Sequence, residues 1–239
     1  LLNPDTEVLP GAVRRLRDFA RENPKAGLVG GRTLTAEGAT EPSCCWGRPT
    51  MWSTFCFASG LSTAFRAHRW FDPEAMGGWD RDTPREVGVV TGCLVMVHRD
   101  VWAELGGFDP RFFMYGEDTD LSLRARKAGY RPMITPTAEI VHTIGASSSV
   151  PTNRRVMIMR GKVTVFHLHW GRVGAKVGAA LLLAGVALRA ALGVAKGALG
   201  RSRSIQQDAW VGTWQRRREW IDGYPPYDPT PAPAMQPVG

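Results

Sequence analysis

The amino-acid sequence predicts an α/β domain followed by a helical segment that is both basic and apolar. Residues 1–35 show the order strand, turn, helix, strand, and a second strand–helix–strand series spans 91–142. Alternation of this kind is typical of α/β domains. From 151 to 222 the pattern changes to long apolar and basic runs, which predict helices. The remaining residues, 223–239, are Pro-rich, and we expect them to be disordered.

Turn signals bound the first elements. The opening LLNPDTEV indicates the end of a buried strand that runs into an Asn-Pro-Asp-Thr turn. Pro10 suits the first turn of a helix, and apolar residues follow at helical spacing up to Asn23. The run AGLVGG then predicts a short buried strand closed by glycines. Because the sequence opens on a strand and shows no leader pattern, we expect it to start inside a domain.

The middle of the sequence contains a stretch with no clear pattern, followed by stretches with clear strand and helix patterns. Residues 36–90 are rich in Gly, Pro and Trp, and we expect a loop or partly helical excursion near a site. TGCLVMVHR (91–99) predicts a strand, and RDVWAELGGFD predicts a short helix that ends at a glycine. Another helix is predicted over 117–128, with Gly129 ending it. YRPMITP and AEIVHT then predict two short strands around a turn at Pro136.

Positive charge is concentrated in the C-terminal segment. Residues 1–150 carry 17 Lys/Arg and 18 Asp/Glu, whereas 151–222 carry 13 Lys/Arg and three acidic residues. Residues 177–188 form an apolar run that is short for a membrane span, and we expect Arg189 and Lys196 to interrupt its extension. This pattern favours an amphipathic helix at an anionic membrane surface. It argues against nucleic-acid binding.

The cysteines suggest a cellular setting. The sequence contains Cys44, Cys45, Cys56 and Cys93, and none of their spacings is typical of a metal site or a disulfide framework. We interpret them as reduced thiols in the cytoplasm. Together with the basic segment, they predict a peripheral protein on the inner face of the plasma membrane.

Three carboxylates follow an aromatic run in FFMYGEDTD. Glu117, Asp118 and Asp120 come directly after Phe112–Tyr115. A helix N-terminus favours carboxylates, which would explain one or two of them, and Asp120 can pair with Arg124 at i, i+4. A third carboxylate beside an apolar run exceeds that explanation, because its desolvation is costly. The cluster is therefore either a capped helix start or a site in which one carboxylate is a general base.

Two other positions could hold a divalent ion. Asp5 in the NPDT turn could cap the following helix, or it could bind a cation that is also bound to phosphates. His142 ends a predicted strand, where a lone histidine is usually structural, yet with Asp5 it could complete a metal site. His167 and His169 have a spacing that could mimic a metal pair. Beside the basic segment we expect an interfacial role for them and leave them out of the site.

The string TGCLVMVHRDVWAELGGFDPRFFMYGEDTDLSLRARKAGYRPMITPTAEIVHTIGAS resembles the acceptor-side half of inverting family 2 glycosyltransferases. It is especially similar to rhamnosyltransferase- and galactofuranosyltransferase-like members, and LLNPDTEV resembles their metal-binding D-x-D region. The resemblance covers residues 1–150. It implies the metal and acceptor side of a GT-A fold, the Rossmann-like nucleotide-diphospho-sugar transferase domain. The N-terminal part of that domain, with most contacts to the nucleotide base, is expected to be missing before Leu1.

The resemblance also implies residue roles. Asp118 matches the base, while Asp5 matches a ligand of Mg²⁺ or Mn²⁺ and His142 matches a second ligand in some relatives. Asn3 stands where the D-x-D motif more strictly has Asp. The residues expected to contact donor or acceptor are Asn3, Thr91, Gly92, Phe113, Tyr115, Glu117 and Arg124.

The implied reaction is the inverting transfer of a rhamnose-like sugar from a nucleotide-diphosphate donor to a hydroxyl of a lipid-linked or cell-wall glycan. Asp118 would take the acceptor proton, and the run 112–115 would form an apolar wall that stacks on a sugar and excludes water. Two alternatives remain open. The chain could be a truncated, non-catalytic relative that has lost donor binding. It could also be a basic membrane-binding module built around 151–222.

Overall fold

The structure is a computed structural model that describes residues 1–142, 150–200 and 202–229. The strands are β1 (Thr6–Val8), β2 (Leu28–Leu34), β3 (Thr40–Glu41), β4 (Cys45–Trp46), β5 (Arg85–Glu86), β6 (Val89–Val90), β7 (Val95–Val97) and β8 (Met133–His142). The α-helices are α1 (Ala12–Glu22), α2 (Met51–Ser59), α3 (Leu61–Ala64), α4 (Arg99–Leu105), α5 (Glu117–Lys127), α6 (Pro151–His169), α7 (Gly171–Ala198) and α8 (Ile205–Gln215).

A mixed sheet forms the centre of the α/β part. Six strands in the described residues belong to it; four follow the order β1–β8–β2–β3, β5 also pairs with β8, and β7 also pairs with β2. β2 and β8 are parallel, whereas the other pairings are antiparallel. β4 and β6 form a separate two-stranded sheet. This mixed sheet with helices against it confirms the predicted α/β class.

β8 corrects the prediction of two short strands around Pro136. It is one strand that bulges at this position, because Gly31 of β2 pairs with Thr135 and the next residue of β2 pairs with Glu139. Proline has no N–H to give to a ladder, so a bulge is where a strand tolerates it. A side chain at Gly31 would place its Cβ 2.4 Å from the Ala138 carbonyl oxygen. The bulge therefore depends on glycine in β2.

The other strand predictions near the site need adjustment. The opening residues pair with the sheet as the end of a strand would, because Leu2 forms an antiparallel bridge with Leu94, but Leu1 and Leu2 are about half exposed rather than buried. β1 begins after the turn, at Thr6. The strand predicted over 91–99 is shorter, because a turn at Gly92–Cys93 separates β6 from β7. Residues 36–90 are partly helical, as expected, and contain α2 and α3. The helices predicted after 99 and at 117 are confirmed.

The C-terminal segment is helical and has a core of its own. Val163 and Phe166 of α6 pack with Leu182 and Val186 of α7 and with the fully buried Trp220. α7 continues through Arg189 and Lys196, the two cations that interrupt the apolar run in the sequence. Arg189 is accommodated because its guanidinium donates to the Phe57 carbonyl oxygen (2.8 Å) and lies 4.0 Å from the Phe57 ring.

The start of the Pro-rich tail is ordered rather than disordered. The Tyr224 backbone N–H donates to Thr164 Oγ1 (2.7 Å), and its hydroxyl donates to the Met114 carbonyl oxygen (2.6 Å). The Tyr224 ring also meets Phe112 edge-on at 6.0 Å. The tail therefore reaches the loop that precedes α5. Residues 230–239 lie outside the described residues, so the expectation of disorder is not tested there.

Candidate active site

The structure brings Asp5 and His142 together at one edge of the sheet. β1 and β8 are antiparallel, and Thr6 lies opposite His142. Asp5 Oδ1 lies 3.2 Å from His142 Nε2, and both side chains are about 15% exposed. Among the described residues, neither Asp5 Oδ1 nor His142 Nδ1 has a hydrogen-bond partner, although both atoms are buried. Buried polar atoms usually have partners, so this pair has spare capacity for a ligand.

This pair fits a divalent ion in chemistry but does not form a complete site. Carboxylate and imidazole are suitable ligands for Mn²⁺ and similar ions, and Mg²⁺ is commonly bound by one or two carboxylates together with substrate phosphates. No group of three His, Cys, Asp or Glu side chains suited to a metal occurs in the described part of the chain. Asn3 contributes main-chain contacts, because its N–H donates to the Cys93 carbonyl oxygen (3.1 Å). The chain would therefore supply two metal ligands.

The turn at Gly92–Cys93 joins this pair to the start of α5. Burial raises the pKa of the Cys93 thiol, and the negative charges of Asp118 and Asp5 raise this pKa further, while the neighbouring Thr91 side chain opposes the rise. The thiol thus lies within electrostatic reach of both carboxylates. Thr91 itself is buried and donates through Oγ1 to the Cys44 carbonyl oxygen (2.9 Å). Its contact supports the turn.

Asp118 occupies the first turn of α5, and no cationic side chain in the described part of the chain pairs with it. Burial raises its pKa, and hydrogen bonds from the backbone N–H groups of Thr119 and Gly92 oppose that rise. The Thr119 N–H donates to Asp118 Oδ1 over 2.7 Å. The carboxylate is thus held in place by main-chain donors and remains harder to ionise than a free aspartate. This combination is suitable for a general base.

Glu117 has the least constrained carboxylate of the cluster. Its buried Oε2 has no hydrogen-bond partner within residues 1–142, 150–200 and 202–229. Burial and then the neighbouring charge of Asp118 raise its pKa to about 7. It can therefore exchange a proton near neutral pH.

Asp120 has a structural role, as its spacing to Arg124 predicts. Arg124 lies 2.7 Å from Asp120 Oδ2 and donates to the carbonyl oxygens of Leu105 and Gly107, so it fastens α5 to the loop after α4. The expectation that Arg124 contacts a substrate finds no support in these contacts. The other carboxylate oxygen of Asp120, Oδ1, is hydrogen-bonded to His169 Nε2 over 2.8 Å.

His169 is the residue that sequence reasoning misplaced. Instead of lying at an interface, its side chain is 5% exposed and bonds Asp120 across the contact between α5 and α6. The neighbouring His167 is exposed. Helical spacing could have separated the two, because His169 follows the buried Phe166 at i+3, whereas i, i+2 residues do not share a helix face.

The aromatic run before α5 does not form one continuous wall. Phe112 is buried against Leu123 and Val165, whereas the side chain of Phe113 is 80% exposed. Tyr115 has φ of 66°, a left-handed conformation that is uncommon for a non-glycine residue. Its carbonyl oxygen lies so close to Gly161 of α6 that a Cβ there would be 2.0 Å away. Phe113 and Tyr115 remain candidates for substrate contact, and Phe112 is a core residue.

The mixed sheet, the acidic start of α5 and the appended helices are consistent with a GT-A-like glycosyltransferase domain. The model of glycosyl transferase family group 2 matches residues 1–224. The chain therefore belongs to this family.

Several curated proteins are similar to parts of this chain. One is an N-acetylglucosaminyl-diphospho-decaprenol L-rhamnosyltransferase of Mycobacterium tuberculosis, which is 33% identical over 147 residues, or 59% of this chain and 45% of the relative. An O-antigen biosynthesis protein of Myxococcus xanthus is 29% identical over 61% of this chain and 11% of the relative. The chain thus matches less than half of the length of these relatives.

Proposed function

We propose that this protein transfers a sugar from a nucleotide-diphosphate donor to a hydroxyl of a glycan or lipid-linked acceptor, with inversion at the anomeric carbon. The observation that carries the proposal is the gathering of Asp5, His142 and Asp118 around the turn at Gly92–Cys93. Family membership supports the reaction class.

Asp118 is the proposed base. It would accept the proton of the acceptor hydroxyl as that oxygen attacks the anomeric carbon. Asp120 is unsuitable, because both of its carboxylate oxygens are already bonded, to Arg124 and His169. Glu117 is the second candidate, since its Oε2, which the described residues leave without a hydrogen bond, could bind or deprotonate the acceptor. The resemblance to the family's Glu-Asp pair favours Asp118.

Asp5 and His142 would hold the Mg²⁺ or Mn²⁺ ion. When bound, the ion would neutralise charge on the diphosphate leaving group. The exposed Phe113 would provide an apolar surface for a sugar ring, and Tyr115 would shield the acidic start of α5 from water.

We propose a rhamnose-like donor sugar and a lipid-linked or cell-wall acceptor. The support is the similarity to a protein named as a rhamnosyltransferase that acts on N-acetylglucosaminyl-diphospho-decaprenol. A second similar protein is named as an O-antigen biosynthesis protein.

A lipid-linked acceptor places the reaction beside a membrane, and α7 is suited to that position. In the described residues it is the one helix long and apolar enough to cross a bilayer, which alone is weak support. Its exposed side carries Val173, Val177, Leu188 and Leu192. Because α7 also packs on α2, α6 and α8, we propose that it lies on the inner face of the plasma membrane as a peripheral helix.

The test is a transfer assay with the protein as encoded in its source genome. Nucleotide-diphosphate sugars, including a deoxythymidine-diphosphate rhamnose, are offered with N-acetylglucosaminyl-diphospho-polyprenol, and the product linkage is assigned by NMR. We expect one donor to react and the anomeric configuration to invert. Retention of configuration would exclude the single displacement. Donor binding without transfer to any acceptor would favour the non-catalytic alternative.

A further inference from the structure

The proposed reaction does not use an exposed aromatic surface on α2 and the loop after α3. It consists of Trp52, Phe55, Phe65 and Trp70, which we call the aromatic platform. These side chains are 46%, 43%, 49% and 60% exposed, respectively. Soluble surfaces seldom carry so many neighbouring exposed aromatic rings, and such patches commonly mark an interaction site.

The platform is held in shape by its own contacts. The rings of Trp52 and Phe55 are stacked, with centroids 5.6 Å apart. The indole N–H of Trp52 donates to the Trp70 carbonyl oxygen over 2.7 Å, which ties α2 to the loop. Phe65 packs on Phe71 with centroids 5.0 Å apart. The rings are therefore presented by a folded surface.

The platform adjoins the exposed apolar side of α7. Arg189 of α7 donates to Thr63 Oγ1 (2.9 Å), two residues before Phe65. Gly60, which joins α2 to α3, lies beside Leu188, because a Cβ there would be 3.7 Å from the Leu188 side chain. The exposed aromatic rings of the platform and the exposed aliphatic side chains of α7 therefore lie on neighbouring elements.

Positive charge predominates around both elements, although the loop after α3 also holds Asp72, which accepts a hydrogen bond from the Ala67 N–H. Residues 47–71 contain three arginines and no Asp or Glu. Residues 151–207 contain ten Lys or Arg and again no Asp or Glu. The guanidinium of Arg69 lies 5.4 Å from the Trp70 ring centroid, so a cation accompanies the platform directly. Such a surface complements anionic lipid headgroups, whereas two copies facing each other would repel.

We propose that the aromatic platform lies in the headgroup region of an anionic phospholipid bilayer, alongside α7. The proposal rests on the membrane attachment proposed above and adds a second contact to it. Trp is enriched at membrane–water interfaces because its ring is apolar and its N–H is polar. With two contacts from adjoining elements, the membrane would fix the rotation of the domain about α7, which one helix cannot do.

The test compares the vesicle binding of the wild type with that of two double variants and one single variant. Trp52→Ser/Trp70→Ser removes half of the platform, Leu188→Glu/Leu192→Glu changes the α7 side, and Trp46→Ser is the control because Trp46 is exposed on β4 outside the platform. Co-sedimentation uses phosphatidylglycerol-containing vesicles and pure phosphatidylcholine vesicles. We expect the platform variant to lose about ten-fold or more in partitioning, from the burial of two large rings. The control should match the wild type.

Thermal unfolding and transfer to a water-soluble acceptor check that each variant is folded. If the platform variant binds anionic vesicles as the wild type does while the α7 variant does not, the platform proposal is wrong and attachment through α7 stands. If the wild type binds no vesicles, attachment itself is wrong, although transfer to the soluble acceptor would still support the enzyme. If the platform variant instead turns a lipid-free dimer into a monomer, the platform contacts a second copy and the proposal is overturned.

Discussion

Replacing His169 with Ala should destabilise the junction of the α/β part and the helical segment. His169 Nε2 lies 2.8 Å from Asp120 Oδ1, with the two side chains 5% and 3% exposed. Removing one partner of a buried charged pair costs about 3–5 kcal/mol when the charge is left alone. Here Arg124 still pairs with the other oxygen of Asp120. We therefore expect a loss nearer the cost of one hydrogen bond to a charged group, about 2–3 kcal/mol.

Urea unfolding at neutral pH measures this loss, and His167→Ala is the matched control. His167 is on the same helix, two residues earlier, and is exposed. Its replacement should change the free energy of unfolding by less than about 0.5 kcal/mol. A double-mutant cycle with Asp120→Asn should give a favourable coupling energy between the two residues. If His169→Ala lowered the free energy of unfolding no more than His167→Ala does, the contact between His169 and Asp120 would contribute nothing to stability.

The same contact predicts a pH dependence. Burial raises the pKa of Asp120, but hydrogen bonds from His169 and Arg124 outweigh it, so the folded pKa is lowered. A group with a lowered folded pKa stabilises the protein above its unfolded pKa, about 3.9 for Asp. That contribution is lost as the pH falls through the folded value. The stability difference between wild type and Asp120→Asn should therefore shrink below about pH 4.

Three further predictions concern the loop before α5 and the pair of Asp5 and His142. Tyr224→Phe removes the hydrogen bond from the Tyr224 hydroxyl to the Met114 carbonyl oxygen in the loop before α5. We expect the free energy of unfolding to fall by about 1 kcal/mol and kcat to be reduced. Gly161→Ala would put a Cβ 2.0 Å from the Tyr115 carbonyl oxygen, so calorimetry should show a lower Tm, with a cost of about 1–3 kcal/mol. Asp5→Ala should abolish Mn²⁺-dependent transfer and His142→Ala should weaken it; full turnover in EDTA would contradict a metal role.

The sequence predicted those parts of the fold that local pattern determines. The helix at 117–127 follows from its acidic first turn and its glycine end, and the i, i+4 pair of Asp120 and Arg124 forms as expected. The proximity of Asp5 and His142 also occurs, although 136 residues lie between them, because strand ends meet at a sheet edge.

What local pattern could not predict depends on contacts between distant segments. Pro136 looked like the end of a strand, but β2 pairs with β8 on both sides of the bulge and keeps it one strand. Arg189 interrupts the apolar run of α7 in the sequence, and the carbonyl oxygen and ring of Phe57 accommodate its charge. Tyr224 looked like part of a disordered tail, although its hydroxyl reaches the Met114 carbonyl oxygen. Each partner is far away in sequence.

Substitution of the three carboxylates at the start of α5 shows which of them is the base. Asp118→Asn, Glu117→Gln and Asp120→Asn each keep the shape of the side chain and remove its negative charge. Sugar transfer and calorimetric donor binding are measured on the same samples. We expect Asp118→Asn to lower the transfer rate by a factor of about 10²–10⁴. The donor affinity should be nearly unchanged, because the base acts on the acceptor. Transfer by Asp118→Asn at the wild-type rate, with the loss found in Glu117→Gln instead, would contradict the assignment of Asp118 as the base.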